Sequence, residues 1–401
     1  ALPISRTLRR IIGQMKPRRI VLDSIGVLGL LAGNRQRFHR EVVGLRQFVA
    51  GQGCTALFIG DGPAEVETEG TSNTELHAVA SSLIHMDQTA PEYGEVRRRV
   101  RIIKVRGVPF DGGYHNFRIR TGGLEVYPRL GRYAAPEYTD FRRIQSGVEP
   151  LDELLGGGLE LGTACLVIGP SGAGKSTVAT LFCRAAAAAD DSAAIFLFEE
   201  RPETFKTRSR AVGIDLGPHL QSGRITLREL QPAEISPGEF AQHVRSAVEE
   251  GGAKVVLIDS LTGYFNVMGD TPMLLVQMHE LLNFLSRRGV LTLLVVSQEG
   301  FLSAAPQVAP DVSYLSDTIL LLRMFEADGA IHRCIAAGKK RQGEHETTIR
   351  ELCIRPGEVD IGRESLRQFR SILSGDAILI ARNERRREER RASEEKEADD
   401  A

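Results

Sequence analysis

Residues 164–176 read "ACLVIGPSGAGKS". Six small or apolar residues form a run of strand length, and the eight from Gly169 to Ser176 then fit the pattern G-x-x-x-x-G-K-[ST]. The pattern carries a mechanism only where it follows a strand and opens a helix. The glycines let successive backbone N–H groups turn inward on phosphate oxygens, and the exposed helix N-terminus adds partial positive charge. The stretch therefore predicts a buried strand, a phosphate-cradling loop and a helix starting at Lys175. Gly169, Pro170, Ser171, Gly172, Ala173, Gly174, Lys175, Ser176 and Thr177 become candidate nucleotide contacts. Lys175 would reach the β- and γ-phosphates, and the Ser176 hydroxyl would sit on Mg²⁺, so ATP and Mg²⁺ are the ligands to expect.

Working outward from the loop, the alternation is regular. "AAIFLFEE" (193–200), "ITLREL" (225–230), "KVVLID" (254–259) and "LTLLVVSQ" (291–298) read as strands. Helices are expected over Pro202–Val212, Glu239–Glu250 and Met273–Arg287. Near-continuous apolar strands separated by helices imply a mostly parallel sheet covered on both faces. Past Asp317, "DTILLLRMF", "IHRCIAAGKKR" and "TIRELCIR" look antiparallel, with Asp328-Gly329 as a hairpin signal. The expected class is α/β with an antiparallel edge.

In a parallel sheet, ligands lie beyond the carboxyl ends of the strands. Asp259, ending "KVVLID", is placed to hold Mg²⁺ through water; otherwise it is a helix cap. Glu199 and Glu200 end the strand after the loop helix and are candidates to polarise an attacking water or hydroxyl. The alternative is a solvated strand end or an ion pair with Arg201. Ser297 and Gln298 close the next central strand and could sense the γ-phosphate, or simply make a structural hydrogen bond.

The chain repeats itself. "KPRRIVLDSIGVL" (16–28) lies over "GAKVVLIDSLTGY" (252–264), and "LRQFVAGQGCTALFIGD" (45–61) over "LNFLSRRGVLTLLVVSQ" (282–298). "RRRVRIIKVRG" (97–107) lies over "AIHRCIAAGKKRQ" (330–342). One offset of about 235 residues serves all three, as a duplicated unit requires. Asp23 thus matches Asp259, while Lys104 and Arg106 match Lys339 and Arg341. The first copy contains no phosphate loop; its loop would precede residue 1, and the leading Ala rather than Met fits a truncated or processed sequence. The expected organisation is one and a half copies: 1–130 as the second half of a first domain, 131–143 as linker, 144–380 as a complete domain, and 381–401 as a charged, disordered tail. Each Lys-x-Arg lies too late in the topology to reach its own loop easily. In a ring it could act on a neighbour's nucleotide as an arginine finger; a solvated basic strand end is the bland reading.

Composition sets the outer bounds. With 401 residues, 42% apolar and 26% charged, the chain has material for two cores. A net charge of −1 supplies no global field toward nucleic acid or membrane. No apolar run approaches bilayer length, and the five scattered cysteines read as buried free thiols of a reducing cytoplasm.

Together with "SGVEPLDELLGGGLELG" (146–162), "FEERPE", "VVLIDSL", "SDTILLL" and "KKRQGEHETTIREL", these residues resemble the KaiC family of clock ATPases within the RecA-like P-loop superfamily. The resemblance covers nearly everything but the tail. It implies tandem RecA-like domains in two-tiered, ATP-bound homo-hexamers, with regulatory protein partners and with each site completed by the neighbour's Lys-x-Arg. It further implies serine/threonine autokinase activity in the second copy, with a Glu199 or Glu200 carboxylate as base. The clock protein has adjacent Ser and Thr before the "SDTI" strand. Here "APDVSYLSDTI" keeps Ser313 as a candidate phosphosite but places Tyr314 where Thr would stand.

Two other functions share this fold. A DNA-dependent recombinase or helicase would carry basic or aromatic loops after its central strands. The loop at 299–310 has no Lys or Arg and its counterpart at 60–76 is acidic, which argues against nucleic acid. A nucleotide-assembled scaffold without turnover is the other, and the glutamate pair argues against it.

Overall fold

The computed structural model of the chain describes residues 3–60, 79–90, 94–130, 142–268, 271–298, 313–327, 329–370, 372–374 and 378–379. The acidic and neutral loops at 61–76 and 299–310, most of the linker, Asp328 and the tail lie outside the described residues. Two compact units are present, one within 1–89 and 98–124, the other within 90–97 and from 125 onward.

In the first unit β1 (Arg19–Asp23) and β2 (Thr55–Ile59) form a parallel pair. A four-stranded sheet follows, in the order β3 (Ser82–Thr89), β4 (Arg97–Val105), β5 (His115–Arg120), β6 (Gly123–Tyr127). Helices Pro3–Met15 and Arg35–Gly51 bury Ile12, Val42, Leu45 and Val49 against Ile20, Leu22 and Phe58, one face of the β1–β2 pair. Asn34 caps the longer helix, its side chain accepting from the Arg37 N–H at 2.8 Å.

In the second unit a short pair, β7 (Arg143–Ile144) and β8 (Leu159–Glu160), leads into a nine-stranded sheet. Its strands are β9 (Ala164–Gly169), β10 (Ser192–Leu197), β11 (Ile225–Glu229), β12 (Ala253–Asp259), β13 (Leu291–Ser297), β14 (Thr318–Ala327), β15 (Ala330–Lys340), β16 (Ile349–Arg355) and β17 (Glu358–Ser365). The order is β11-β10-β12-β13-β9-β14-β15-β16-β17, parallel as far as β14 and antiparallel after it. β9, the strand before the phosphate loop, thus sits mid-sheet between β13 and β14. Successive residues face opposite layers. Val255, Leu257, Leu293 and Val295 pack with Val178, Phe182 and Ala186 of the Lys175–Ala188 helix. Val256, Ile258, Leu294 and Val296 pack with Phe240, Leu281 and Leu285 on the other side. Each such fully buried side chain contributes about 1.5–3 kcal/mol.

The repeat is visible in three dimensions. Every residue of β1 pairs with the residue 36 further along in β2, and β12 pairs with β13 at the same spacing. The peptide bond after the terminal aspartate is cis in both copies. Val21, Leu57 and Ile59 are exposed, whereas their counterparts Leu257, Leu293 and Val295 are covered by the Lys175–Ala188 helix. No equivalent of β9 is present among the described residues of the first unit, and there the parallel pair and the antiparallel strands form separate sheets, whereas in the second unit both kinds join in the nine-stranded sheet.

Four local features differ from expectation. β10 stops at Leu197, two residues short of the glutamates. A helix over Leu261–Met268 follows β12 directly, and the third helix begins at Pro237, capped by the Ser236 hydroxyl on the Glu239 N–H. β17 adds an edge strand that carries no alternation strong enough to read.

Candidate nucleotide site

The loop hangs from the carboxyl end of β9, and the helix after it starts without any side-chain cap. Its first N–H groups therefore lack partners that a capped helix would supply, which is the arrangement an anion fills. Gly174 has φ +97°, and a Cβ there would lie 2.5 Å from Ile354 Cδ1. The positive φ favours glycine, and a side chain there would also have to push the end of Ile354 aside. Lys175 is buried, and its ammonium donates to the loop's own Pro170 carbonyl at 2.8 Å. Burial pushes that ammonium below its ordinary value, while Asp259 and Glu199 work in the opposite direction. A triphosphate would supply the negative charge that this desolvated cation lacks.

Asp259, at the end of β12, accepts a hydrogen bond from Ser176. Burial raises the carboxyl above its ordinary range, against the Ser176 hydrogen bond and the Arg208 charge. One hydroxyl and one carboxylate at a desolvated strand end suit Mg²⁺, which takes one or two protein oxygens and fills its shell with water and phosphate. These residues fit the ion.

The two glutamates have separate surroundings. Glu199 lies over the Leu261–Met268 helix, where a Cβ on Gly263 would be 2.9 Å from its Cγ. Glu200 is held by the Arg208 fork, Nε at 3.2 Å and Nη2 at 2.8 Å. The ion pair anticipated with Arg201 goes instead to Arg208, one face of a helix away; Arg201 is the exposed N-cap of that helix. Ser297 pairs with Gly169 across β13 and β9, and its N–H donates to Thr262 Oγ1 at 3.0 Å. Gln298 donates its N–H to the Gly169 carbonyl, and its buried Oε1 has no partner among the described residues. Such an orphaned acceptor beside the loop fits a water or ligand donor.

Lys339 and Arg341 are brought elsewhere. Lys339 pairs with Ile319 of β14, which pairs with Leu166 of β9, three residues before Gly169 and two strands away. The Lys339 ammonium donates to the Ser316 carbonyl at 2.7 Å and the Ser313 carbonyl at 3.2 Å. Arg341 faces Asp317 at 3.4 Å. Ser313 opens a short 3-10 turn, Ser313–Leu315, on the same end of the sheet, with Tyr314 exposed beside it. In the first unit, Lys104 lies near the end of β4 and Arg106 directly follows it, and Asp23 is an exposed strand end. Desolvation and then the adjacent arginine lower the lysine in both copies, Arg106 acting on Lys104 and Arg341 on Lys339.

Residues 2–131 and 144–365 match the family model "ATPase: KaiC". The chain belongs to the KaiC ATPase family. The circadian clock oscillator protein KaiC of Picosynechococcus sp. is 28% identical over 303 residues, covering 73% of this chain and 56% of the relative. KaiC 1 of Synechocystis sp. matches at 28% with the same coverage, and KaiC of Synechococcus elongatus at 27%. The chain spans about half the length of the curated relatives it matches. The RecA-like P-loop fold expected from the loop is the fold of this family, and the large, mostly parallel sheet agrees with it. Among the described residues, no helix is long and apolar enough to cross a membrane.

Three residues of this KaiC-family site, Arg208, Arg333 and Gly263, escape sequence reading. Arg208 and Thr177 meet across two helices, 31 positions apart. Arg333 donates to the Gly172 carbonyl at 3.0 Å from β15, 161 positions away. Gly263 makes room for Glu199. Thr177, next to the motif, is already a candidate contact, but nothing in local spacing marks these three.

Proposed function

We propose that the chain binds ATP with Mg²⁺ on the Gly169–Thr177 loop, hydrolyses it, and transfers the γ-phosphoryl group to its own kind. The observation that carries this reading is the convergence on one strand-end cleft of a desolvated Lys175, the Ser176–Asp259 pair and Glu199 beside an arginine-bound Glu200. Lys175 and the loop amides would bind the β- and γ-phosphates. Ser176 and Asp259 would hold the ion, which neutralises charge on the transferring group. Glu199 would accept the proton of the attacking water or hydroxyl, and Gln298 would orient it.

Lys339, Arg341 and Ser313 lie together at the amino end of β9, away from their own loop. They would therefore serve a neighbouring copy, the basic pair completing its site and Ser313 presenting a hydroxyl to it. Regulation by protein partners and a cytoplasmic setting belong to the same proposal. So does the division into a half copy, a linker, a full copy and a charged tail.

Incubation with γ-labelled ATP tests the reading. Lys175→Ala is expected to abolish nucleotide binding and phosphate release together. Ser313→Ala should remove the protein-bound label while phosphate release continues. Turnover by Lys175→Ala equal to the parent, or label indifferent to Ser313→Ala, would remove the corresponding half of the proposal.

A further inference from the structure

The Pro202–Ala211 helix carries a cation that the reaction so far leaves without a role. Arg208 is fixed on three sides. Its fork takes both oxygens of Glu200, at 3.2 and 2.8 Å. Its third nitrogen, Nη1, reaches Thr177 Oγ1 at 3.4 Å, on the first turn of the loop helix. Its guanidinium carbon lies 5.0 Å from the centre of the Phe205 ring, three residues back on the same helix face, and Phe205 is fully buried. The pair is half-buried, and bidentate pairing of this kind sets geometry as well as energy.

Adjacent carboxylates beside a triphosphate site pose an electrostatic problem. A second unpaired acid would repel the phosphates and compete for Lys175 and for the ion. We propose that Arg208 is a positioning residue that separates the two acids: it withdraws Glu200 onto the loop helix and cancels its charge. Glu199 is thereby left as the one carboxylate free to face the reacting phosphate. The assignment deepens the ATP reading and rests on it. It involves Glu200 through Arg208, Thr177 and the Phe205 ring, with Asp259, Glu199 and Lys175 as the other charges in the cleft.

The test is a cycle of variants with three readouts: affinity for a non-hydrolysable ATP analogue, kcat and KM for ATP, and melting temperature. Arg208→Met keeps the apolar stem over Phe205 and removes the charge. It is expected to weaken analogue binding about tenfold and to lower kcat further, because Glu200 is released into the cleft. Adding Glu200→Gln should restore most of both losses, since the repelling charge is gone. Arg208→Lys, which keeps charge without the fork, should fall between, and it reads the same point if the methionine variant melts too low. A parent with no ATP turnover defeats the ATP reading, not this one. With an active parent, an Arg208→Met variant as competent as the parent overturns the assignment. So does a double variant as impaired as the single, because a merely structural arginine would not be rescued by neutralising Glu200.

Discussion

Gly263 lacks a side chain where Glu199 occupies the space. A Cβ on Gly263 would stand 2.9 Å from the Glu199 Cγ and 3.0 Å from its Oε1, so Gly263→Ala must displace the carboxylate. The residue follows the Ser260 cap of the Leu261–Met268 helix, with its N–H on the Ser260 hydroxyl at 3.0 Å, so its backbone is anchored and the glutamate has to give. A shift near 1 Å in a catalytic group can cost up to about a hundredfold in rate. Gly263→Ala is therefore expected to lower kcat by tenfold or more at near-parental analogue affinity, because the loop and Lys175 are untouched. Parallel turnover and binding measurements check it; a kcat within twofold of the parent would mean that Glu199 does not act from this position. Cys165 and Cys183 are fully buried, and burial pushes both thiols far up, with Cys334 pushed up to about 12. The expectation of buried free thiols holds for these three and for Cys54, while Cys353 is partly exposed.

At the scale of elements, the turn between β15 and β16 clamps the Glu149–Leu154 helix that precedes the loop strand. Glu346 accepts two hydrogen bonds from Arg350, at 2.6 and 2.7 Å, and a third from Thr348. Arg350 is buried and also donates to the Pro150 carbonyl at 3.0 Å. The Arg350 hydrogen bond holds the Glu346 carboxyl below its ordinary range. The stabilisation it brings is fully present above the unfolded glutamate value, about 4.3, and is lost as pH falls through the lower folded value. Glu346→Gln should melt below the parent at pH 7, and the two curves should converge as the buffer is taken below about pH 4. A gap that persists at acid pH would assign the difference to packing rather than charge. Such clamps explain what sequence could and could not yield. β9, β12 and β13 were legible because burial on both faces makes continuous apolar runs, and the loop because its chemistry is local. The Leu261–Met268 helix was hidden because it opens one residue past a strand and contains a glycine that serves Glu199. Arg208 was hidden because adjacency favoured Arg201, while the helix brings Arg208 to Glu200 from eight positions on.

At the scale of the molecule, the phosphate loop leaves the carboxyl end of β9, while the Lys-x-Arg lies two strands away, level with the amino-terminal half of that strand. Lys339 is level with Leu166 through β14, so about 10 Å of strand and about 10 Å of sheet separate it from Gly169. Lys340, between the two candidates, has a fully buried side chain, bonded to Glu160 at 3.0 Å and to the Gly158 carbonyl at 3.2 Å, which pins that end of β15. If Arg341 acts on a nucleotide, that nucleotide is therefore another copy's, and closed head-to-tail contacts of this type make rings. The proposal then has a consequence that separate chains cannot mimic. Lys175→Ala supplies an intact Arg341 and no working loop; Arg341→Ala supplies the reverse. Each alone should be inactive. Mixed in equal amounts with ATP and Mg²⁺, they should form roughly a quarter of their interfaces with both parts intact and recover activity in proportion. Size measurement of the parent should show an assembly in ATP–Mg²⁺ that falls to smaller species on chelation. Turnover by Arg341→Ala alone would show that this arginine completes no site, and a mixture as inactive as its components while assembled would place its work inside one chain, against the distance across β9.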